Sequence, residues 1–293
     1  MLASGRPEPI IQPIIQIRKC GVTMSNYLDY HVHLEQGPYT SAWLEEFLQV
    51  AQQRGLQEIG FTEHAYRFRA AADILDNDYG RRHATQEIEA YVELILRAKA
   101  THPWIKLGLE MDYVPGKEEI TRRFLSAYPF DFVLGSVHFL GTWGFDNPEY
   151  LEEWKRHQVD EVYRLYFHTL QEAARSGLFD VLAHPDVIKV FGHRPSVKMT
   201  SLYEKTVSTI AAAGLAIEVS SAGWRKPVGE QYPAEDFLEL ALAAGIPITT
   251  ASDAHRPADV GRDLEKLVSL AKRVGYKTVS SFSRRQRQQL PLP

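Results

Sequence analysis

Six histidines and two acids stand out in this chain by position, because each lies at or just after a short apolar run that reads as a β-strand. The first run, Tyr27–Val32, carries Asp29-Tyr30-His31-Val32-His33. Histidines two apart project to the same side of a strand, so both imidazoles can close on one cation. The run Leu56–Phe61 leads into Glu63-His64, residues 105–109 into Glu110, and residues 132–137 into His138. Residues 181–183 lead into His184-Pro185, and residues 246–251 into Ser252-Asp253-Ala254-His255. One further run, residues 215–219, lacks an imidazole and is followed by Gly223-Trp224-Arg225-Lys226, which offers cations in place of metal ligands.

Imidazole and carboxylate together suit borderline divalent metals such as zinc, manganese or iron, and the lack of thiolates argues for a catalytic site over a structural zinc knot. Glu110, with histidines on both sides of it in strand order, is the natural bridge between two cations. Metals about 3.5 to 4 Å apart hold a shared hydroxide near neutral pH and neutralise charge on a phosphoryl oxygen. Arg225 and Lys226 can clamp a phosphate, the guanidinium through parallel hydrogen bonds. Phosphate-ester hydrolysis is the simplest chemistry for this set.

Amphipathic stretches with helical spacing separate the strands: Trp43, Leu44, Phe47, Leu48 and Ala51; Ile88, Tyr91, Val92, Ile95 and Leu96; Val159, Val162, Tyr163 and Tyr166; Leu264, Leu267, Leu270 and Ala271. Gly55, Gly177, Gly214 and Gly245 mark helix ends, and Pro148, Pro233 and Pro257 sit near helix starts. Seven strands alternating with helices imply a parallel sheet. Polar ligands at every carboxyl end imply closure into a seven-stranded relative of the (β/α)₈ barrel, with the site on the C-terminal face of the strands. The chain's 293 residues suit one such domain over 24–293, preceded by a loose extension over 1–23. Residues 66–83 read as a long loop over the site.

A net charge of −4 opposes a nucleic-acid surface, and Arg284-Arg285-Gln286-Arg287 reads as a solvated tail. Residues 10–17 are too short an apolar run to span a bilayer and lack a signal-peptide pattern. The single cysteine, Cys20, allows no disulfide framework, which points to a cytoplasmic protein.

The motifs His31-Val-His33, Glu63-His64, Glu110, His138, Ala183-His184-Pro185 and Ser252-Asp253-Ala254-His255 resemble the polymerase-and-histidinol-phosphatase (PHP) superfamily, from about Asp29 onward. Gly108-Leu-Glu110-Met-Asp112, Gly135-Ser-Val-His138, Ile188-Lys-Val-Phe191-Gly and above all Arg225-Lys-Pro-Val-Gly-Glu230-Gln-Tyr-Pro233 resemble its histidinol-phosphatase branch. The resemblance implies a distorted (β/α)₇ barrel holding two to three metals. It assigns His31, His33, Glu110 and Asp253 to the first, Glu110, His138 and His184 to the second, and His64 and His255 to the third. At the third site Tyr39 stands where relatives often place histidine, so either Glu35 substitutes or that metal is weak or absent. The implied reaction converts L-histidinol phosphate to L-histidinol and phosphate, a late step of histidine biosynthesis, through a metal-bridging hydroxide. Arg225 would bind the phosphoryl oxygens, with Asp253 or His255 passing a proton to the leaving alkoxide.

Plainer readings stand beside these. Glu63 is a ligand, a partner orienting an imidazole, or a surface acid, the second being favoured; Asp29 and Asp112 are open in the same way. Arg225 and Lys226 could be solvated charges. His193 and Trp224 could border the substrate, while His157 and His168 read as helical surface or packing residues. A nuclease, a protein-tyrosine phosphatase and a catalytically silent metal-binding scaffold are the competing functions. Oligomeric state is not legible.

Overall fold

The computed structural model describes residues 27–293, so the expected extension over 1–23, Met24 and Cys20 lie outside the described residues. Strands run in the order β1 (Tyr27–Val32), β2 (Leu56–Phe61), β3 (Ile105–Leu107), β4 (Glu110–Asp112), β5 (Leu134–Ser136), β6 (Phe139–Leu140), β7 (Trp143–Gly144), β8 (Val181–Leu182), β9 (Ala216–Ser220), β10 (Ile248–Ala251), β11 (Thr278–Ser283) and β12 (Gln286–Pro291). Helices are α1 (Ser41–Gln53), α2 (Asp78–His83), α3 (Ile88–Thr101), α4 (Glu118–Ser126), α5 (Val159–Arg175), α6 (Thr200–Ala213), α7 (Glu235–Ala243) and α8 (Leu264–Val274).

The strands before the helices form two parallel sheets, β1-β2-β3 and β10-β9-β8-β5-β4. All seven apolar runs supply strands, but after the third a further short strand, β4, starts at Glu110 itself. Gly108-Leu109 separates the two, with β3 in the first sheet and β4 at the edge of the second. A side chain at Gly108 would meet the Phe132 ring at 2.5 Å, so the crossing is packed too tightly for any other residue. Two parallel bridges join the sheets, Val32 with Ala254 and His64 with Glu110. They are carried by His33 N–H to Ala254 O at 2.8 Å and by Glu110 N–H to Glu63 O at 3.0 Å.

The helices form where the apolar spacing predicts them. Thr40 caps α1 by accepting from the Trp43 N–H, and Leu44, Phe47, Leu48 and Ala51 form its buried face. Gly214 ends α6 at φ 70, a left-handed conformation that costs glycine little. Leu96 departs from expectation and is 38% exposed on α3. The stretch 66–83 is not a structureless loop: short 3₁₀ turns and α2 fill it, and Phe68, Ile74 and Leu75 anchor it in apolar contacts.

The basic segment near the C-terminus is not a free tail either. Arg284 and Arg285 form the turn of the β11–β12 hairpin, and Arg285 Nε donates to Asp180 at 2.7 Å. This hairpin lies against the amino ends of the strands. Phe282 packs edge-on against Tyr30 and stacks on Phe132, both with ring centroids 5.9 Å apart, and Asp131 accepts from the Arg284 N–H through Oδ1 at 3.2 Å and from the Arg285 N–H through its backbone carbonyl at 2.8 Å.

Candidate metal centre

The opposite, carboxyl side of the strands gathers the eight singled-out residues around Glu110, which is 1% exposed. Its Oε2 lies 3.1 Å from His31 Nε2, 3.5 Å from His33 Nε2 and 3.2 Å from His64 Nε2. Its Oε1 lies 3.0 Å from His184 Nε2 and 3.4 Å from His138 Nε2. Asp253 Oδ1 sits 3.5 Å from His33 Nε2 and 3.8 Å from His31 Nε2. Glu35 reaches His64 Nδ1 at 3.4 Å and His255 Nε2 at 3.6 Å, so the acid named as a substitute at the third site lies beside both of that site's histidines.

Four donor triads have ligand atoms within 4.8 Å of one another: His31, His33 and Asp253; His31, Glu110 and His184; His64, Glu110 and His138; His33, His64 and His255. Within them His31 Nε2, both nitrogens of His33, His64 Nδ1 and the nearby Glu35 Oε2 are buried without a hydrogen-bond partner. Burying such atoms unpaired is costly, and divalent cations would supply partners for those with a free lone pair, so the residues present fit the metals that their chemistry suggests.

Two acids fix which imidazole nitrogen faces inward. His31 Nδ1 is 2.7 Å from Glu218 Oε2, and His138 Nδ1 is 3.0 Å from Asp112 Oδ1. With Nδ1–H donated outward, each Nε2 lone pair is left for a cation that Glu110 would share. Asp112 was open between roles and takes the orienting one. Glu218 corrects the reading of residues 215–219 as a strand that contributes only cations. The signal was available: a fully buried glutamate inside Ala-Ile-Glu-Val-Ser needs a partner.

Electrostatics follow from this packing. Burial opposes charge on His31, yet Glu218, Glu110 and Asp253 outweigh it and hold its pKa well above the ordinary value. Burial is likewise outweighed at His64, by Glu110 and Glu35, which push that imidazole up to about 9. His33 goes the other way, held well below its usual value by burial and by His64 and His255. Burial raises the Glu110 carboxyl, but His31, His64 and His138 prevail and hold it well below the carboxylate range. Asp253 follows the same pattern, with His31 and His33 overcoming burial, and burial lowers His255. His184 and Asp253 adopt positive φ, 26 and 52, which costs a non-glycine residue roughly 1–3 kcal/mol.

The remaining expectations divide. Glu63 does not orient an imidazole; it accepts from the Leu34 N–H and from the Tyr39 hydroxyl, the latter at 2.9 Å, and so fixes the loop after β1. Asp29 accepts from Ser252 N–H and Gly261 N–H and ties β1 to the turn after β10. Arg225 directs its guanidinium to the Ser221 and Ser252 carbonyls, beside Asp253. Lys226 is exposed, and its charge helps to lower His255. His193 stacks on Trp154 at 4.3 Å, and Trp224 packs under Lys266, whose Nζ is 3.7 Å from its ring; neither ring joins the cluster. His157 caps a 3₁₀ turn and stacks on Trp143, while His168 is on α5 as expected. Asp146, which spacing did not single out, joins Tyr66 and Tyr79 in a cavity of about 250 Å³ opening beside His64, His138 and His255.

The sequence profile of the PHP domain matches residues 29–222. The chain belongs to the PHP domain family. Within it, a probable histidinol-phosphatase of Deinococcus radiodurans is 35% identical over 260 residues, covering 88% of this chain and 97% of the relative. The histidinol-phosphatase of Bacillus subtilis is 26% identical over 261 residues, 80% of this chain and 95% of that one. Among solved structures, the histidinol phosphate phosphatase of Lactococcus lactis, complexed with zinc, L-histidinol and phosphate, superposes with a TM-score of 0.71. It is 23% identical and covers 90% of this chain and 99% of its own, which establishes a shared α/β fold. The PHP match ends before β10, so Asp253 and His255 come from beyond it.

Proposed function

We propose that this chain is a metal-dependent phosphomonoesterase that hydrolyses L-histidinol phosphate to L-histidinol and inorganic phosphate in histidine biosynthesis. The observation that carries the reading is Glu110, a buried carboxylate with five imidazole nitrogens within 3.5 Å, in a chain 35% identical to nearly the whole of a probable histidinol-phosphatase. The bridges Val32–Ala254 and His64–Glu110 support reading the two sheets as one distorted (β/α)₇ barrel, a single domain over 24–293 with its site on the C-terminal face. A cytoplasmic setting goes with that pathway; among the described residues no helix is long and apolar enough to cross a membrane.

His31, His33, Glu110 and Asp253 would hold one metal, Glu110, His138 and His184 a second, and Glu35, His64 and His255 a third, with zinc, manganese or iron as candidates. Such cations lower the pKa of a water towards 7 and neutralise phosphoryl charge. Glu218 and Asp112 keep the His31 and His138 rings turned so that Nε2 faces inward. Arg225, held by Ser221 and Ser252, presents its remaining N–H groups to the equatorial phosphate oxygens, and Lys226 adds positive charge at the mouth. Asp253 or His255, which stand 3.5 Å apart at the edge of the cluster, would pass a proton to the departing ester oxygen.

The test is phosphate release from L-histidinol phosphate, a nucleotide, a phosphotyrosine peptide and single-stranded DNA, with elemental analysis of the same sample. Strong preference for the first supports the proposal. Metal-replete protein inert on all of them overturns it in favour of a binding scaffold.

A further inference from the structure

The cavity beside the donor cluster contains one acid that the chemistry above does not use. Asp146 follows the β6–β7 hairpin and precedes Asn147, which caps the next 3₁₀ turn by accepting from the Glu149 N–H at 2.9 Å, so its backbone is fixed from both sides. The other acids there are committed: Glu35 to His64 and His255, Glu110 to five imidazoles, Asp112 to His138 Nδ1. Asp146 belongs to none of the donor triads, and its Oδ2 stands 3.9 Å from His138 Nε2, outside hydrogen-bond reach. Its side chain is 23% exposed, into the cavity. Tyr66 and Tyr79, ring centroids 5.3 Å apart and nearly perpendicular, wall the same space. A carboxylate whose near cationic neighbour is an imidazole 3.9 Å away, lining a cavity shared with two aromatic rings, suits a small organic cation.

We propose that Asp146 determines substrate specificity by accepting hydrogen bonds from the ammonium group of the phosphomonoester, whose ring then lies against Tyr66 and Tyr79. The inference rests on the function proposed above. In histidinol phosphate the carbon bearing the ammonium group is bonded to the carbon bearing the ester oxygen. A phosphorus placed at the cluster therefore brings the ammonium within a few ångströms of it, which is where Asp146 stands.

The test compares L-histidinol phosphate, its deamino analogue imidazolylpropyl phosphate, and p-nitrophenyl phosphate on the metal-loaded wild type, Asp146→Asn and Asp146→Glu. For Asp146→Asn, kcat/KM on histidinol phosphate is expected to fall about 10- to 100-fold, the worth of a hydrogen bond to a charged group. The fall should lie mainly in KM, while the deamino analogue and p-nitrophenyl phosphate change less than about threefold and bound metal is unchanged. The wild type should itself prefer histidinol phosphate to the deamino analogue by a similar factor, a comparison that needs no variant to fold. Asp146→Glu, which keeps the charge, should recover part of the loss. Equal losses on all three substrates, reduced metal content, or a wild type indifferent to the ammonium group overturns the inference alone. A wild type inert on every phosphomonoester overturns the proposed function and this inference with it.

Discussion

Glu110 holds a place that no neutral residue can fill. It lies within 3.5 Å of five imidazoles through two oxygens, so one substitution reaches every part of the cluster. Glu110→Gln is expected to lower bound metal and abolish turnover together, measured by elemental analysis and phosphate release; survival of both would show that the bridge is elsewhere. Glu218→Gln is the subtler change. It leaves every ligand in place but removes the charge that His31 Nδ1–H meets at 2.7 Å, and should cost about 10- to 100-fold in zinc affinity or activity with an unchanged melting curve. Protons compete for the same nitrogens. Because His64 is pushed up to about 9 in the cation-free cluster, zinc uptake near neutral pH must expel a proton, and affinity should fall steadily as pH is lowered from about 8 to about 6. Titration calorimetry in buffers of different ionisation enthalpy reads that release directly, and a heat independent of buffer would contradict it.

At the scale of elements, the turns set the reach of each side chain. Gly223 lies in the short 3₁₀ turn Ala222–Arg225 that carries Arg225, and a Cβ there would fall 1.9 Å from the Glu230 carbonyl oxygen. Gly223→Ala must therefore move the turn, and an ångström-scale displacement of Arg225 is expected to cost about 100-fold in kcat/KM while metal content is kept. An unaffected rate would detach Arg225 from phosphate binding. The donors were legible in sequence because each strand is an apolar run broken by a polar residue at its end: His64, His138 and His184 needed only that rule. Glu218 was marked only by its charge inside Ala-Ile-Glu-Val-Ser, since a strand buried on both faces gives no alternation to show which residue points inward. The break at Gly108-Leu109 was hidden for a related reason, as Leu109 continues the apolar run while the backbone changes sheet. Residues 66–83 read as loop because their charges outnumber their anchors, although Phe68, Ile74 and Leu75 are enough to order them. Asp146 lies in no strand pattern, and only tertiary folding brings it to the cavity.

Across the whole molecule, one end of the strands does chemistry and the other is closed by the β11–β12 hairpin. Phe282 is 1% exposed between Tyr30 and Phe132, and Phe282→Ala should destabilise the protein by about 3–5 kcal/mol, read as a lower urea midpoint. The metal-loaded variant should retain its rate below the transition, since no contact of Phe282 reaches Glu110; loss of rate in the folded variant would mean that the two ends are coupled. The basic turn at Arg284-Arg285 looked like a tail because charge alone cannot reveal that Asp131 and Asp180 wait beneath it.

The bridge between Val32 and Ala254 brings the end of β1 against the turn after β10, segments more than two hundred residues apart, and the cluster draws on both: His31 and His33 from one, Asp253 and His255 from the other. The triads with Asp253 and His255 therefore form only when these two segments have met, whereas those of Glu110 with His31 and His184 and with His64 and His138 draw on nothing beyond His184.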